Sequence, residues 1–286
     1  MGTVPRMDSE LFVDDLEALL DLEALDTNLF RGRHGPDAKI RTSLYGGQVA
    51  AQALRAATAT VLPERVVHSL HGYFLRPGLV DRPVIFEVDR DRDGGSFSAR
   101  HVRAVQAGEV IFSMLASFHV PADGPTFDDV PRGGRPDPEG LSARHPAMFV
   151  DAREVTRTRI EGDRVILSDC LWVRAVQPLP DDPVIHACVL TYVSDFGSGF
   201  GQVDVPGLAP GGPSIDHSVW FHEPIRADDW MLLELQPSKA HSDRGVYRGS
   251  ISTRDGTLGL VLAQEILLRP RALSEEERRR LTELTD

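Results

Sequence analysis

The sequence predicts an α+β protein built from two tandem antiparallel sheets, each wrapped around a central apolar helix. Three observations predict it. The chain of 286 residues repeats itself once. A helix-like apolar segment precedes each copy of the repeat, and glycine turns separate the strand-like segments that follow.

The repeat is carried by "HSLHGYFLRPGLVDRPVIFEV" from His68 and "HSVWFHEPIRADDWMLLELQP" from His217. Asp81 and Asp228 each open a stretch that runs into apolar–Glu–apolar: Val84-Ile85-Phe86-Glu87-Val88 and Met231-Leu232-Leu233-Glu234-Leu235. Two further strand-like segments follow in each copy, turning near Gly108 and Gly256. Short strands joined by such turns make antiparallel meanders, and two long copies point to duplication of one domain. The predicted boundaries are 1–120 for the first domain, with a leading helix, 121–145 for a linker and 146–286 for the second, with a helical tail.

Taken in order, residues 9–25 read as an acidic amphipathic helix. Residues 46–61, "GGQVAAQALRAATATV", read as the first central helix. Its alanines would let a sheet approach closely. "PADGPTFDDVPRGGRPDPEGLS", 121–142, is rich in proline and glycine and reads as linker. "PVIHACVLTYVSDF", 183–196, is the second central helix, with Pro183 suited to a first turn and apolar residues on nearly every side. In the tail, Ser274 and Glu277 form a capping box.

Composition narrows the function. With 31 Lys+Arg against 43 Asp+Glu, the formal charge is −12. That argues against a nucleic-acid partner, which needs a basic footprint. Arg90, Arg92, Arg100 and Arg103 could form one local anion patch, or a solvated strand face. No apolar run reaches the ~20 residues that cross a bilayer, so no membrane partner is expected. The first residues lack a basic n-region and an apolar h-region, so no secretory signal is expected. Two cysteines, Cys170 and Cys188, make neither a disulfide framework nor a zinc set, which points to a reducing, cytoplasmic compartment. His217 and His222, and His68 and His71, fall on opposite faces of their strands, so no metal or other cofactor is expected.

Three polar residues stand out. Asp195 closes an otherwise apolar segment and is a candidate general base, or a helix-ending turn residue. Ser214 follows Gly211-Gly212-Pro213 before a strand; it is a candidate hydroxyl group, or a turn residue. Gln264 interrupts "LGLVLAQEILL". A buried amide there needs partners or costs about 1–3 kcal/mol. Spacing alone cannot bring the three together. A nucleophile elbow is missing, because "GSG" at 197–199 follows a helix rather than a strand.

The segments "LYGGQVAAQAL", "VHSLHGYFLRPG", "GGSFSARHVRAVQAGEVIFSMLASFH", "YVSDF", "SIDHSVWFH" and "LAQEILLR" resemble the type II, TesB-type acyl-CoA thioesterase family from about residue 25 to 270. The resemblance implies a double hotdog fold and hydrolysis of a fatty acyl-CoA to the free acid and CoA. It assigns the catalytic positions to Asp195, Ser214 and Gln264. Many members carry Thr at the place of Ser214, and most carry Gly where this chain has Ile266. Water would attack the thioester, with Asp195 taking its proton and Ser214 and Gln264 fixing its position. Ser214 would not be an acylated nucleophile, since no histidine is evidently placed to activate it.

Gly46 and Gly47, at a helix start, are candidate donors to the thioester oxygen. His68 and His217 are further candidate substrate-binding positions. The acyl chain would lie in an apolar groove between sheet and helix, and the loop 197–213 would gate it. Ala116 aligns with Gln264, so one active site per chain is expected. Exposed sheet edges and the family pattern favour a homodimer or homotetramer. Two alternatives stay open: a hotdog hydratase or dehydratase, which would pair a carboxylate with a histidine, and a non-catalytic acyl-CoA binding protein.

Overall fold

The computed structural model describes residues 11–39, 42–127, 136–143, 149–155, 158–161, 164–167, 169–200, 209, 212–272 and 275. In the first half, α1 (Leu16–Leu20) leads into β1 (Glu23–Asp26), β2 (Leu29–Gly32) and α2 (Gly46–Thr58). Four strands follow: β3 (Val66–Phe74), β4 (Val84–Asp93), β5 (Phe97–Gln106) and β6 (Glu109–His119). The second half holds β7 (Val150–Glu154), the hairpin β8 (Thr158–Glu161) and β9 (Arg164–Leu167), β10 (Asp169–Ala175) and α3 (Pro183–Ser194). It ends with β11 (Asp216–Phe221), β12 (Met231–His241), β13 (Arg244–Thr253) and β14 (Leu258–Leu267).

Twelve strands form one sheet in the order β1-β2-β4-β5-β6-β3-β11-β14-β13-β12-β10-β7. Outward from the β3–β11 junction the order is 3-6-5-4-2 on one side and 11-14-13-12-10 on the other. Each strand of the first half therefore has a counterpart in the second, as the sequence repeat predicts. The two expected sheets are joined edge to edge, because β3 pairs antiparallel with β11, Leu70 opposite Val219 and Gly72 opposite His217. The predicted β5–β6 turn has positive φ at Ala107 and Gly108, 50° and 80°, the backbone of a two-residue hairpin loop.

Both central helices form. In α2, Ala50, Ala51, Ala53, Ala56 and Ala57 are fully buried, and the helix packs on α3 and on β2–β6. Small side chains make that close approach possible on several sides at once. In α3, the Asp182 carboxylate accepts the Val184 N–H at 2.8 Å, and Pro183 occupies the first turn. With mostly apolar residues around its circumference, α3 is buried along most of its length. Each fully buried Leu, Val or Phe in this shared core contributes about 1.5–3 kcal/mol of transfer free energy.

Three expectations change. Among the described residues, the helix predicted over 9–25 is helical only at Leu16–Leu20, capped by Asp15, whose carboxylate accepts the Ala18 N–H at 2.6 Å. The chain then forms the β1–β2 hairpin around Asn28, which takes φ 59°, a conformation asparagine tolerates better than most residues. The linker is partly folded back onto the second half: the Trp172 indole donates to Pro136 O at 2.9 Å, and Leu141 packs on the cluster of Trp172, Trp230 and Leu232. The arginine patch does not assemble. Arg100 is 1% exposed and donates to Thr60 Oγ1 at 2.8 Å, Thr60 O at 3.0 Å and Asp93 at 2.7 Å. The capping box at Ser274 lies outside the described residues.

Candidate active site

α2 and α3 lie antiparallel, so the first turn of α2 meets the last turn of α3. The contact is close: the Tyr45 hydroxyl donates to Tyr192 O at 2.7 Å, and Gly47 leaves no room for a side chain against the same carbonyl. Asp195 is the C-cap of α3 and is 8% exposed. Its carboxylate faces the start of α2, where a Cβ on Gly46 would come within 2.7 Å of Asp195 Oδ2 and 2.9 Å of the Phe74 ring. A carboxylate at a helix N-terminus gains from the helix dipole.

Ser214 is held beside Asp195 by an extension of the sheet. Leu267 donates its N–H to Pro213 O at 3.0 Å and Ile215 donates to Glu265 O at 2.8 Å. Ser214 bridges to Ile266, which is buried at 1% exposure. Gly212 permits this course, since a Cβ there would collide with Leu267 O.

Gln264 points inward from β14, where buried residues alternate with half-exposed ones. The three side chains meet. Ser214 Oγ donates to Asp195 Oδ1 at 3.0 Å, and Gln264 Nε2 donates to Asp195 Oδ1 at 2.8 Å and to Ser214 Oγ at 2.5 Å. Residues separated by up to 69 positions thus share one hydrogen-bonded cluster.

The two histidines part company. His217 is fully buried; its Nδ1 is bonded to Gln264 Oε1 and its Nε2 lies 2.7 Å from Ser194 Oγ. Burial pushes its pKa below the ordinary value, against the pull of the Asp195 carboxylate and the Gln264 bond. A bulge in β3 between Val67 and Ser69 turns His68 to the outer face. There it meets Ser117 Oγ at 2.8 Å and the rings of Phe97 and His119. His68 therefore does not join the cluster around Asp195. Sequence reasoning saw no histidine near Asp195 and passed over Ser194. The alternation of inward residues at 217 and 219 along β11 was the available signal for the first.

The ladder also corrects one alignment. Leu70 faces Ala116 and Val219 faces Leu262. With His68 and His217 equated, the counterpart of Gln264 is Phe118, not Ala116. Either way the first half carries no amide there.

Comparison with known proteins places the chain. The model of the acyl-CoA thioesterase N-terminal domain matches residues 34–119, and the acyl-CoA thioesterase model matches residues 144–265. The chain belongs to the acyl-CoA thioesterase family. Acyl-coenzyme A thioesterase 8 of Homo sapiens is 35% identical, over 88% of each chain. Acyl-CoA thioesterase 2 of Haemophilus influenzae is 32% identical, over 90% of this chain and 98% of that one. A crystal structure of the acyl-CoA thioesterase II TesB2 from Mycobacterium marinum superposes with a TM-score of 0.78 at 38% identity, covering 90% of this chain and 98% of that one. A hot dog-fold protein from Alicyclobacillus acidocaldarius, 18% identical, superposes at 0.72 over 90% and 98%, which shows the hotdog fold. Membership makes this thioesterase a hydrolase of acyl-CoA thioesters.

Proposed function

We propose that the enzyme hydrolyses fatty acyl-CoA to a free fatty acid and CoA by direct attack of water, with Asp195 as general base. The observation that carries this reading is the convergence of Ser214 Oγ and Gln264 Nε2 on Asp195 Oδ1, at 3.0 and 2.8 Å. The serine proton already points at the carboxylate, and Gln264 donates to both. A water at this cluster would give its proton to Asp195 and its lone pair to the thioester carbon. The carbonyl oxygen takes the charge, the C–S bond then breaks, and the thiolate leaves with a proton. Positioned general-base assistance of this kind is worth about 10²–10⁴-fold. Gly46 and Gly47 bring the N-terminus of α2 to the same place, so their backbone N–H groups are the proposed donors to the developing oxyanion.

His217 is bonded at both ring nitrogens within the protein and pairs with an amide and a hydroxyl rather than with Asp195. The carboxylate–histidine pair that a hydratase would use is therefore not favoured. The substrate's acyl chain is assigned to an apolar groove between sheet and helix, gated by the loop 197–213, most of which lies outside the described residues.

The chain is read as a double hotdog, one unit on each side of residues 121–145. Separate family models on the two sides and the mirrored strand order support this. The central strands leave Tyr73, Leu115 and Trp220 exposed on the outer face, at 58%, 52% and 39%, which supports assembly of two or four copies through that face. Two buried cysteines, Cys170 and Cys188, fit a reducing, cytoplasmic compartment. The test is release of CoA thiol from a series of acyl-CoA chain lengths. Wild type releases thiol and Asp195→Ala falls by at least ~10²; a variant that keeps wild-type turnover overturns the general-base reading.

A further inference from the structure

The trio around Asp195 works only if the Gln264 amide lies one way round. Its Nε2 has two hydrogens, and both are placed, one on Asp195 Oδ1 and one on Ser214 Oγ. Turned over, the amide would set its carbonyl oxygen against the carboxylate and leave Ser214 without a donor. Neither Asp195 nor Ser214 contacts the far side of the amide. That side is held by His217, whose Nδ1 is bonded to Gln264 Oε1. A carbonyl oxygen only accepts, so Nδ1 must carry the proton.

The ring's other nitrogen is fixed in turn. Ser194 Oγ lies 2.7 Å from His217 Nε2 and 2.9 Å from Thr191 O. It has one proton to give. Burial lowers the imidazole's pKa and favours its neutral form, so with Nδ1 protonated, Nε2 is an acceptor that competes with Thr191 O for the serine proton. Ser194 and Asp195 are neighbours at the end of α3, so two consecutive residues grip opposite ends of a Gln–His pair. That pair is itself set by the β11–β14 register, in which Ser218 faces Ala263 and so brings His217 beside Gln264.

We propose that His217, oriented by Ser194, is a positioning residue that fixes the Gln264 amide with its nitrogen toward Asp195 and Ser214. It touches neither substrate nor water. This role rests on the reading that Gln264 helps hold the attacking water. It differs from the substrate-binding role that the sequence suggests for His217, whose side chain is fully buried.

Three variants and one spectrum test it. Asparagine carries an N–H at the place of Nδ1, glutamine does not, and leucine only fills space. His217→Asn keeps kcat within about threefold of wild type, whereas His217→Leu and His217→Gln lose about tenfold in kcat with KM little changed. Nitrogen NMR of the wild-type ring shows a neutral imidazole protonated at Nδ1 between pH 7 and 9. The proposal is overturned if the ring is protonated at Nε2 instead, or if leucine serves as well as asparagine. The spectrum needs no variant to fold. Gln264→Ala, assayed alongside, separates the two readings: wild-type turnover there would sink the water-holding role of Gln264 whichever nitrogen carries the proton.

Discussion

The two ends of the α2–α3 pair are built from equivalent elements and carry different side chains. At one end the start of α2 meets the end of α3, with Phe74 leaving the sheet beside them; Asp195, Ser214 and Gln264 converge there. At the other end the start of α3 meets the end of α2, with Phe221, the last residue of β11, beside them. A cavity of about 630 Å³ opens there, lined by Thr58, Val67, Val184, Ala187, Leu190 and Phe221 among others. The α2 terminus at this second end carries no carboxylate. Thr60 stands just past it, and the buried Arg100 guanidinium donates to both its hydroxyl and its carbonyl. A cation at a helix C-terminus favours folding. The duplicated scaffold offers two places by symmetry, and the side chains at the helix ends tell them apart; on the proposed reading, only the Asp195 end does chemistry.

The sharpest way to break this comparison is at Gly46. A valine there places atoms within 2.7 Å of Asp195 Oδ2 and must push the carboxylate aside. Misplacement of a reacting group by about 1 Å costs on the order of 10²-fold. Gly46→Val is expected to lose at least that in kcat, with a far smaller change in unfolding midpoint. At the other end, the first turn of α3 carries Pro183 and Val184 instead of glycines. Val184→Ala is expected to leave thioester hydrolysis within about twofold of wild type. Equal losses from both variants would show that the ends are not functionally distinct.

The reverse pattern is expected at Arg100. Arg100→Met removes the donors to Thr60 and leaves buried acceptors without partners, at about 1–3 kcal/mol each. Urea unfolding should report a loss of about 3 kcal/mol on that scale, while kcat for the folded fraction stays near wild type. A variant that keeps its stability but loses activity would invert the assignment of roles.

These contrasts also show what the sequence could and could not say. The repeat, the two apolar helices and the Gly108 turn were legible, because hydrophobic periodicity and turn chemistry are local. The family resemblance, rather than spacing, joined Asp195, Ser214 and Gln264; nothing local relates a helix end to two strands 19 and 69 residues away. Arg100 looked like surface charge, since a strand pattern does not tell an inward arginine with five donors from an outward one. His68 looked like the twin of His217, but one extra residue at a bulge reverses a side chain's face. The short helix at Leu16–Leu20 was overcalled because the hairpin at Asn28 depends on pairing with β4, far along the chain.

A smaller effect separates the ends by pH. Burial lowers the pKa of His217 at the Asp195 end and of His186 at the other, from the ordinary 6.5. The unfolded chain therefore takes up protons near pH 6 that the native protein refuses. Stability is full above about pH 6.5 and falls as the pH drops below it. Urea midpoints should decline between pH 7 and 5. His186→Asn should remove part of that decline, since His217, His34, His68 and His71, each lowered by burial, still contribute. A flat profile in the wild type would show that neither ring is held neutral by the fold.

The smallest effect is expected inside the second cavity. Ala187 faces it from α3 and is only partly buried, so a longer apolar side chain has space to enter. Ala187→Met should bury a few more methylenes, at about 0.8 kcal/mol each where they are fully covered. It should leave kcat/KM for every acyl-CoA length within experimental scatter. Ala187 lies eight residues before Asp195 on α3, ~12 Å at 1.5 Å per residue, and Phe118 stands where an amide would be needed. If filling the cavity instead shortens the longest acyl chain hydrolysed, the acyl group must run the length of the helix pair from Asp195 to the opposite end. The two ends would then be the head and the tail of a single site.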